Sequence, residues 1–173
     1  MPDLTTLLDL TERTVTADGE RRTVKLQRPY AAAPAELWSA WTEPERTARW
    51  LGVIDGEREV GATVQLIMSP PDKDVATVRI ETCEEPHRLA STWSWPGEDD
   101  SRVEVTLEPD GGGTVLTLEH SSLTATTAID YGCGWEDFLN RLNELVAGRD
   151  PRSISWLDAQ RDLKPLWQAK ANS

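Results

Sequence analysis

Phenylalanine, tyrosine, histidine, cysteine and lysine are all scarce: 173 residues hold one Phe, two Tyr, two His, two Cys and four Lys. The two histidines, His87 and His120, have no second His or Cys three or four residues away, so no metal site is expected. Cys83 and Cys133 match no metal or redox spacing, and two thiols without an export signal read as reduced cysteines of a cytoplasmic protein. Apolar runs stop far short of the ~20 residues needed to span a bilayer, and no membrane partner is expected. Positive charge is also short. Eighteen Lys+Arg face thirty Asp+Glu, and the net charge of -12 repels phosphate backbones, which argues against nucleic acid. The acids are spread along the chain and read as a solvated, acidic surface.

What the chain does have is tryptophan, eight of them, each a large apolar plate with one donor that suits a core or a cavity wall. At 38% hydrophobic and 28% charged the composition is globular, and the length fits one domain.

Local patterns divide that domain. Residues 1–21 read as a lead-in, with Leu4, Leu7 and Leu8 on one side of a helical projection and a Thr-Val-Thr run before the Asp18-Gly19 turn pair. A strand is expected over 22–30 from the alternation around Val24 and Leu26. Leu37, Trp38 and Trp41 then fall at helical spacing behind Pro34, and Pro44 opens a second short helix that ends at Trp50-Leu51 before Gly52. Alternating runs follow over 60–68, 75–83, 87–95, 102–108 and 114–120, separated by Pro70-Pro71-Asp72, Glu84-Glu85-Pro86 and Asp110-Gly111-Gly112-Gly113. These predict an antiparallel meander with one wet face. Over 126–147 Tyr131, Trp135, Phe138, Leu139, Leu142 and Val146 form an apolar stripe, with Glu136, Asn140, Arg141 and Asn143 largely off it. Gly132 and Gly134 weaken the start of this helix, so its firm part is expected from Trp135. The tail, residues 149–173, carries Trp156, Leu163, Leu166 and Trp167 but is broken by Pro165; it is expected to pack on the domain or at an interface.

Catalytic motifs are missing. Gly111-Gly112-Gly113 precedes a strand, whereas a phosphate-cradling loop must open a helix. No Gly-x-Ser-x-Gly elbow occurs, and Cys83 with His87 has no third orienting group. Strand parity sends His120 with Leu116 and Leu118 toward the face under the long helix, where a buried ring must find a partner.

The string from Arg28 to Glu45, RPYAAAPAELWSAWTEPE, with Trp50 following, resembles the opening signature of the START-like (SRPBCC) superfamily, in the branch named for homologues of the heat-shock-protein-90 ATPase activator. Glu84 to Trp95, Leu116-Thr117-Leu118-Glu119-His120 and Gly134-Trp135 extend the resemblance over 22–147. It implies an α+β helix-grip fold for residues 22–148, a curved seven-stranded antiparallel sheet around the long C-terminal helix, with two short helices after the first strand. The superfamily hosts lipid carriers, hormone receptors, polyketide cyclases and oxygenase subunits, so the fold implies function weakly. Two scattered histidines do not supply an oxygenase iron site, and no cofactor is expected. Chaperone activation in the branch's namesake belongs to a larger protein with an additional domain.

The expected function is therefore binding of a small apolar or aromatic molecule in a hydrophobic cavity between sheet and helix. Trp50, Met68, Trp93, Leu118, Tyr131 and Trp135 are expected as wall, and His120 or Tyr131 as polar contact. An alternative makes His120 and Tyr131 acid-base groups of a cyclase-like or hydrolase-like enzyme. Another makes the chain a homodimer through its tail, or a chaperone-docking protein.

Overall fold

A computed structural model describes residues 9–69, 74–153 and 156–171. The expected turn at Pro70-Pro71-Asp72 and the leucines Leu4, Leu7 and Leu8 lie outside the described residues, as does the side chain of Trp156. Two strands, β1 (Glu12–Asp18) and β2 (Arg21–Tyr30), come first. Two short helices follow, α1 (Pro34–Thr42) and α2 (Pro44–Trp50). Six strands come next: β3 (Val53–Asp55), β4 (Thr63–Ser69), β5 (Asp74–Glu84), β6 (Arg88–Ser94), β7 (Ser101–Asp110) and β8 (Gly113–Leu123). The chain then runs into the long helix α3 (Ala125–Val146) and, after a 3-10 turn at Pro151–Ser153, into α4 (Trp156–Ala171).

All eight strands form one antiparallel sheet in the order β1-β2-β8-β7-β6-β5-β4-β3. The resemblance implied seven strands and the alternating runs named six; the two strands those runs lack are the short β3, which pairs with β4, and β1, which closes on β2 through the Asp18-Gly19 turn, with Val15 opposite Val24. Alternation governs the central strands. Val24, Leu26, Arg28 and Tyr30 of β2, Val103, Val105 and Leu107 of β7, and Leu116, Leu118 and His120 of β8 are all buried. Val24 and Val103 both pair with His120, and Leu26 and Val105 both pair with Leu118, so these side chains line up across one face. The β7–β8 hairpin turns at Gly111 and Gly112, whose φ of 54° and 90° suit the Asp110-Gly111-Gly112-Gly113 run.

Proline opens both short helices at the first turn, where its missing N–H costs nothing. Gly52 follows α2 for a reason other than helix termination: a Cβ there would lie 2.7 Å from the Ile67 carbonyl oxygen of β4. Helix α3 begins earlier than expected, capped by Thr124, whose hydroxyl accepts from the Thr127 N–H while Thr127 Oγ1 accepts from the Thr124 N–H. Ala128 to Gly134 is thus regular helix.

The tail is also a correction. Pro165 does not break it, since it sits inside α4. Leu163 and Trp167 are fully buried. Gly132 of α3 makes room for Trp167, whose ring atoms would be 2.5 Å from a Cβ at that position. Packing of β1 and α4 around α3 changes the helix's polar side as well: Glu136 and Asn140, expected largely off the buried stripe, are fully buried with Asp137 and Glu144. Each meets a guanidinium. Glu136 takes Arg13 at 2.6 and 2.5 Å and Trp167 Nε1 at 2.9 Å. Asp137 takes Arg141 at 3.0 Å, Asn140 takes Arg28 at 2.7 Å, and Glu144 takes Arg149 at 2.5 Å.

Candidate functional site

Between α2, the ends of β4 and β6, and α3 lies a cavity of about 590 Å³. Helix α2, strand β6 and helix α3 each supply an aromatic plate whose orientation is fixed by a hydrogen bond. Trp50, the last residue of α2, donates its indole N–H to the Ala40 carbonyl at 2.8 Å and meets Trp41 edge-on at 4.7 Å. On β6, Trp93 donates to the Tyr131 hydroxyl at 3.1 Å, which donates in turn to Glu98 Oε1 at 2.7 Å. Trp135 of α3 donates to His120 Nδ1 at 3.0 Å and stands against Trp93 at 5.5 Å. Trp95 and Phe138 complete the aromatic lining, Met68 and Ile67 add flexible apolar surface, and Gly134 leaves α3 bare on this side.

Five of the seven expected pocket residues, Trp50, Met68, Trp93, Tyr131 and Trp135, line this cavity. Leu118 and His120 do not; both are fully buried in the core behind it. The cause for His120 is its bonding. An indole N–H can only donate, so Nδ1 must hold a lone pair and the ring proton is assigned to Nε2, 2.7 Å from Ser101 Oγ. Ser101 Oγ then donates to the Trp93 carbonyl at 3.4 Å. Burial depresses the His120 pKa to about 3, so the ring is neutral at physiological pH. With both nitrogens engaged and no access to the cavity, His120 positions Trp135 rather than moving protons. Tyr131 is likewise unfit as a base, because burial and its hydrogen bond to Glu98 push its pKa up. His120 is thereby withdrawn from the acid-base pair of the enzyme alternative, whereas Tyr131, held protonated, stays in the cavity lining beside Glu98.

Other lining residues escaped the sequence reading. Glu98 comes from the β6–β7 turn, where composition showed only an acidic loop. Asp137 and Arg141 bring a charged pair onto α3. Burial raises the Asp137 pKa against the pull of Arg141, and Asp137 Oδ1 has no hydrogen-bond partner among the described residues. Their spacing of four residues was the available signal, but it is equally the pattern of an exposed helical ion pair. Arg49, Asp74, Thr127 and Asp130 add further polar groups. Among the described residues no group of three His, Cys, Asp or Glu side chains could hold a metal ion. No helix among them is long and apolar enough to cross a membrane.

No curated protein sequence matches the chain. Solved structures do. CalU16 from Micromonospora echinospora is 29% identical, with a TM-score of 0.78 over 94% of this chain and 99% of its own. DynU16, from the dynemicin biosynthetic locus, is 27% identical over 75% of this chain, with a TM-score of 0.68, and the match spans about half of that protein (49%). An HSP90 activator from Plasmodium falciparum, PFC0360w, shares the fold at 19% identity and a TM-score of 0.51, over 60% of this chain and 74% of its own. The sequence profile described as "Activator of Hsp90 ATPase homolog 1-like protein" matches residues 31–147, from the start of α1 through the end of α3 and so through every element that walls the cavity; the chain belongs to that family, within the START-like helix-grip superfamily.

Proposed function

We propose that the chain binds a small, mainly apolar aromatic molecule in the 590 Å³ cavity. The observation that carries this reading is the convergence of six aromatic side chains, Trp50, Trp93, Trp95, Tyr131, Trp135 and Phe138, on one space. Ligand sites typically combine such a lining, at roughly 300–1,000 Å³, with a few convergent polar groups that fix orientation. Glu98 with Tyr131, and Asp137 with Arg141, supply those groups. The place of the similar DynU16 in a biosynthetic locus supports a biosynthetic intermediate or product as the kind of molecule held.

Titration with 1-methylnaphthalene, read by tryptophan fluorescence and thermal shift, tests it. Saturable quenching is expected, with a rise in melting temperature, and replacing Trp93 or Trp135 by Phe should remove part of the quenching. If a panel of aromatic and fatty-acid-like compounds changes neither signal, the cavity is not a ligand site.

A further inference from the structure

Behind the wall formed by Leu51, Trp93 and Trp135 lies a second cavity of about 410 Å³ that shares those three residues with the first. Its chemistry differs. It lies between α1 and the sheet, and its sheet side is aliphatic: Val64 and Leu66 of β4, Val78 of β5, Leu89 of β6, Val103 and Val105 of β7. Wall residues Trp93 and Trp135 are pinned by Tyr131 and His120, so the partition is a held structure rather than a pair of loose rings.

One polar atom in this lining is unsatisfied. Trp41 lines the cavity, is 7% exposed, and its Nε1 has no hydrogen-bond partner among the described residues. An indole nitrogen only donates, and a buried donor without an acceptor is costly. The neighbouring Trp50 shows the ordinary solution, donating to the Ala40 carbonyl. Charge at the mouth limits what could satisfy Trp41. Glu43 and Glu85 face a single base, Arg58, which already donates to the Thr42 carbonyl. A carboxylate headgroup would meet excess negative charge there, and an ammonium has no acceptor lone pair to offer Trp41.

We infer that this second cavity is a separate binding site for a neutral aliphatic chain carrying one acceptor oxygen, a ketone, ester or ether, with that oxygen on Trp41 Nε1. It goes beyond the aromatic site and does not depend on it.

The test uses 2-nonanone on the full chain. Cys83 lines this cavity and is exposed, whereas Cys133 is buried, so the reaction of Cys83 with dithiobis(nitrobenzoic acid) reports occupancy, with Cys83→Ser giving the background. Saturating 2-nonanone should slow that reaction several-fold, with or without 1-methylnaphthalene present. Trp41→Phe keeps an aromatic ring and removes the donor, so half-saturation should rise about fivefold. Ser91→Leu fills the cavity from β6 and should abolish ketone binding while leaving 1-methylnaphthalene binding intact. An unchanged Cys83 rate at saturating ketone overturns the inference, as does equal affinity in Trp41→Phe. Competition by 1-methylnaphthalene together with an unaffected Ser91→Leu places the ketone in the first cavity and overturns it too. Failure of 1-methylnaphthalene to bind, with the ketone effects present, removes the aromatic reading alone.

Discussion

His120 ties acid stability to one proton. Its folded pKa of about 3 lies below the ordinary 6.5, so the native ring stays neutral while the unfolded chain takes up a proton below pH 6.5. The stability it contributes is therefore complete above pH 6.5 and is lost as pH falls toward 3, at up to about 1.4 kcal/mol per pH unit. His120→Asn retains an acceptor for the Trp135 N–H and removes the titration. Urea unfolding at pH 7.5, 5.5 and 4.5 should show a shallower acid loss in the variant than in the wild type, and parallel losses would contradict the account. Asp137 acts in the opposite sense: a raised carboxyl costs stability as pH rises from its ordinary value through the folded one, and this contribution cancels between the two proteins. Strand parity was enough to place His120 under the long helix. Its role was not legible, because the ring's tautomer depends on an indole fifteen residues away on another element.

Helix α3 carries two buried faces, and only one shows in its periodicity. Tyr131, Trp135, Phe138, Leu139, Leu142 and Val146 are apolar and announce themselves at helical spacing. Glu136, Asp137, Asn140 and Glu144 look like a solvent face, and the signal that they are buried is spread over Arg13, Arg141, Arg28 and Arg149. Three of those partners lie outside the helix, so no local pattern contains them. The two glycines divide between the faces. Gly132 lies against Trp167, whereas a Cβ on Gly134 would meet nothing within 4 Å and would project toward the aromatic cavity. Alanine at either position recovers about 1 kcal/mol of helix propensity. At Gly132 overpacking costs roughly 1–3 kcal/mol, so Gly132→Ala should be neutral to destabilising by up to about 2 kcal/mol. Gly134→Ala should stabilise by up to about 1 kcal/mol and weaken 1-methylnaphthalene binding. Urea midpoints with a parallel ligand titration decide the matter; a stabilised Gly132→Ala would show that Trp167 is not held where the geometry puts it.

The family match over residues 31–147 leaves β1, β2 and α4 outside it, yet the chain treats these flanks as part of one body. Strand β1 extends the sheet, α4 packs on both α3 and β1, and the Glu136 carboxylate binds Arg13 of β1 and Trp167 of α4 together. The central elements were legible because their alternation is strong and their turns are marked by Gly and Pro. Strand β1 was not, since as an edge strand with Glu12, Thr14 and Thr16 exposed it lacks the apolar alternation that identifies its neighbours. Helix α4 was obscured by Pro165, which removes one backbone donor but leaves Leu163 and Trp167 four residues apart on the same side of the helix. Truncation after Ser153 tests whether this coupling holds the fold. Losing the burial of Leu163 and Trp167 forfeits roughly 3–6 kcal/mol, an upper estimate because the unfolded chain already covers some of that surface. At about 2–4 °C per kcal/mol for a chain of this size, the melting temperature should fall by on the order of 10 °C. The Arg13–Glu136 pair, now open to solvent, should become sensitive to salt where it was shielded before. A truncated chain that melts at the wild-type temperature would show that α4 contributes nothing to stability despite its buried tryptophan. One that melts lower but still binds 1-methylnaphthalene would separate the two roles, leaving α4 as a brace on the far side of α3 and the cavity as a property of the central elements alone.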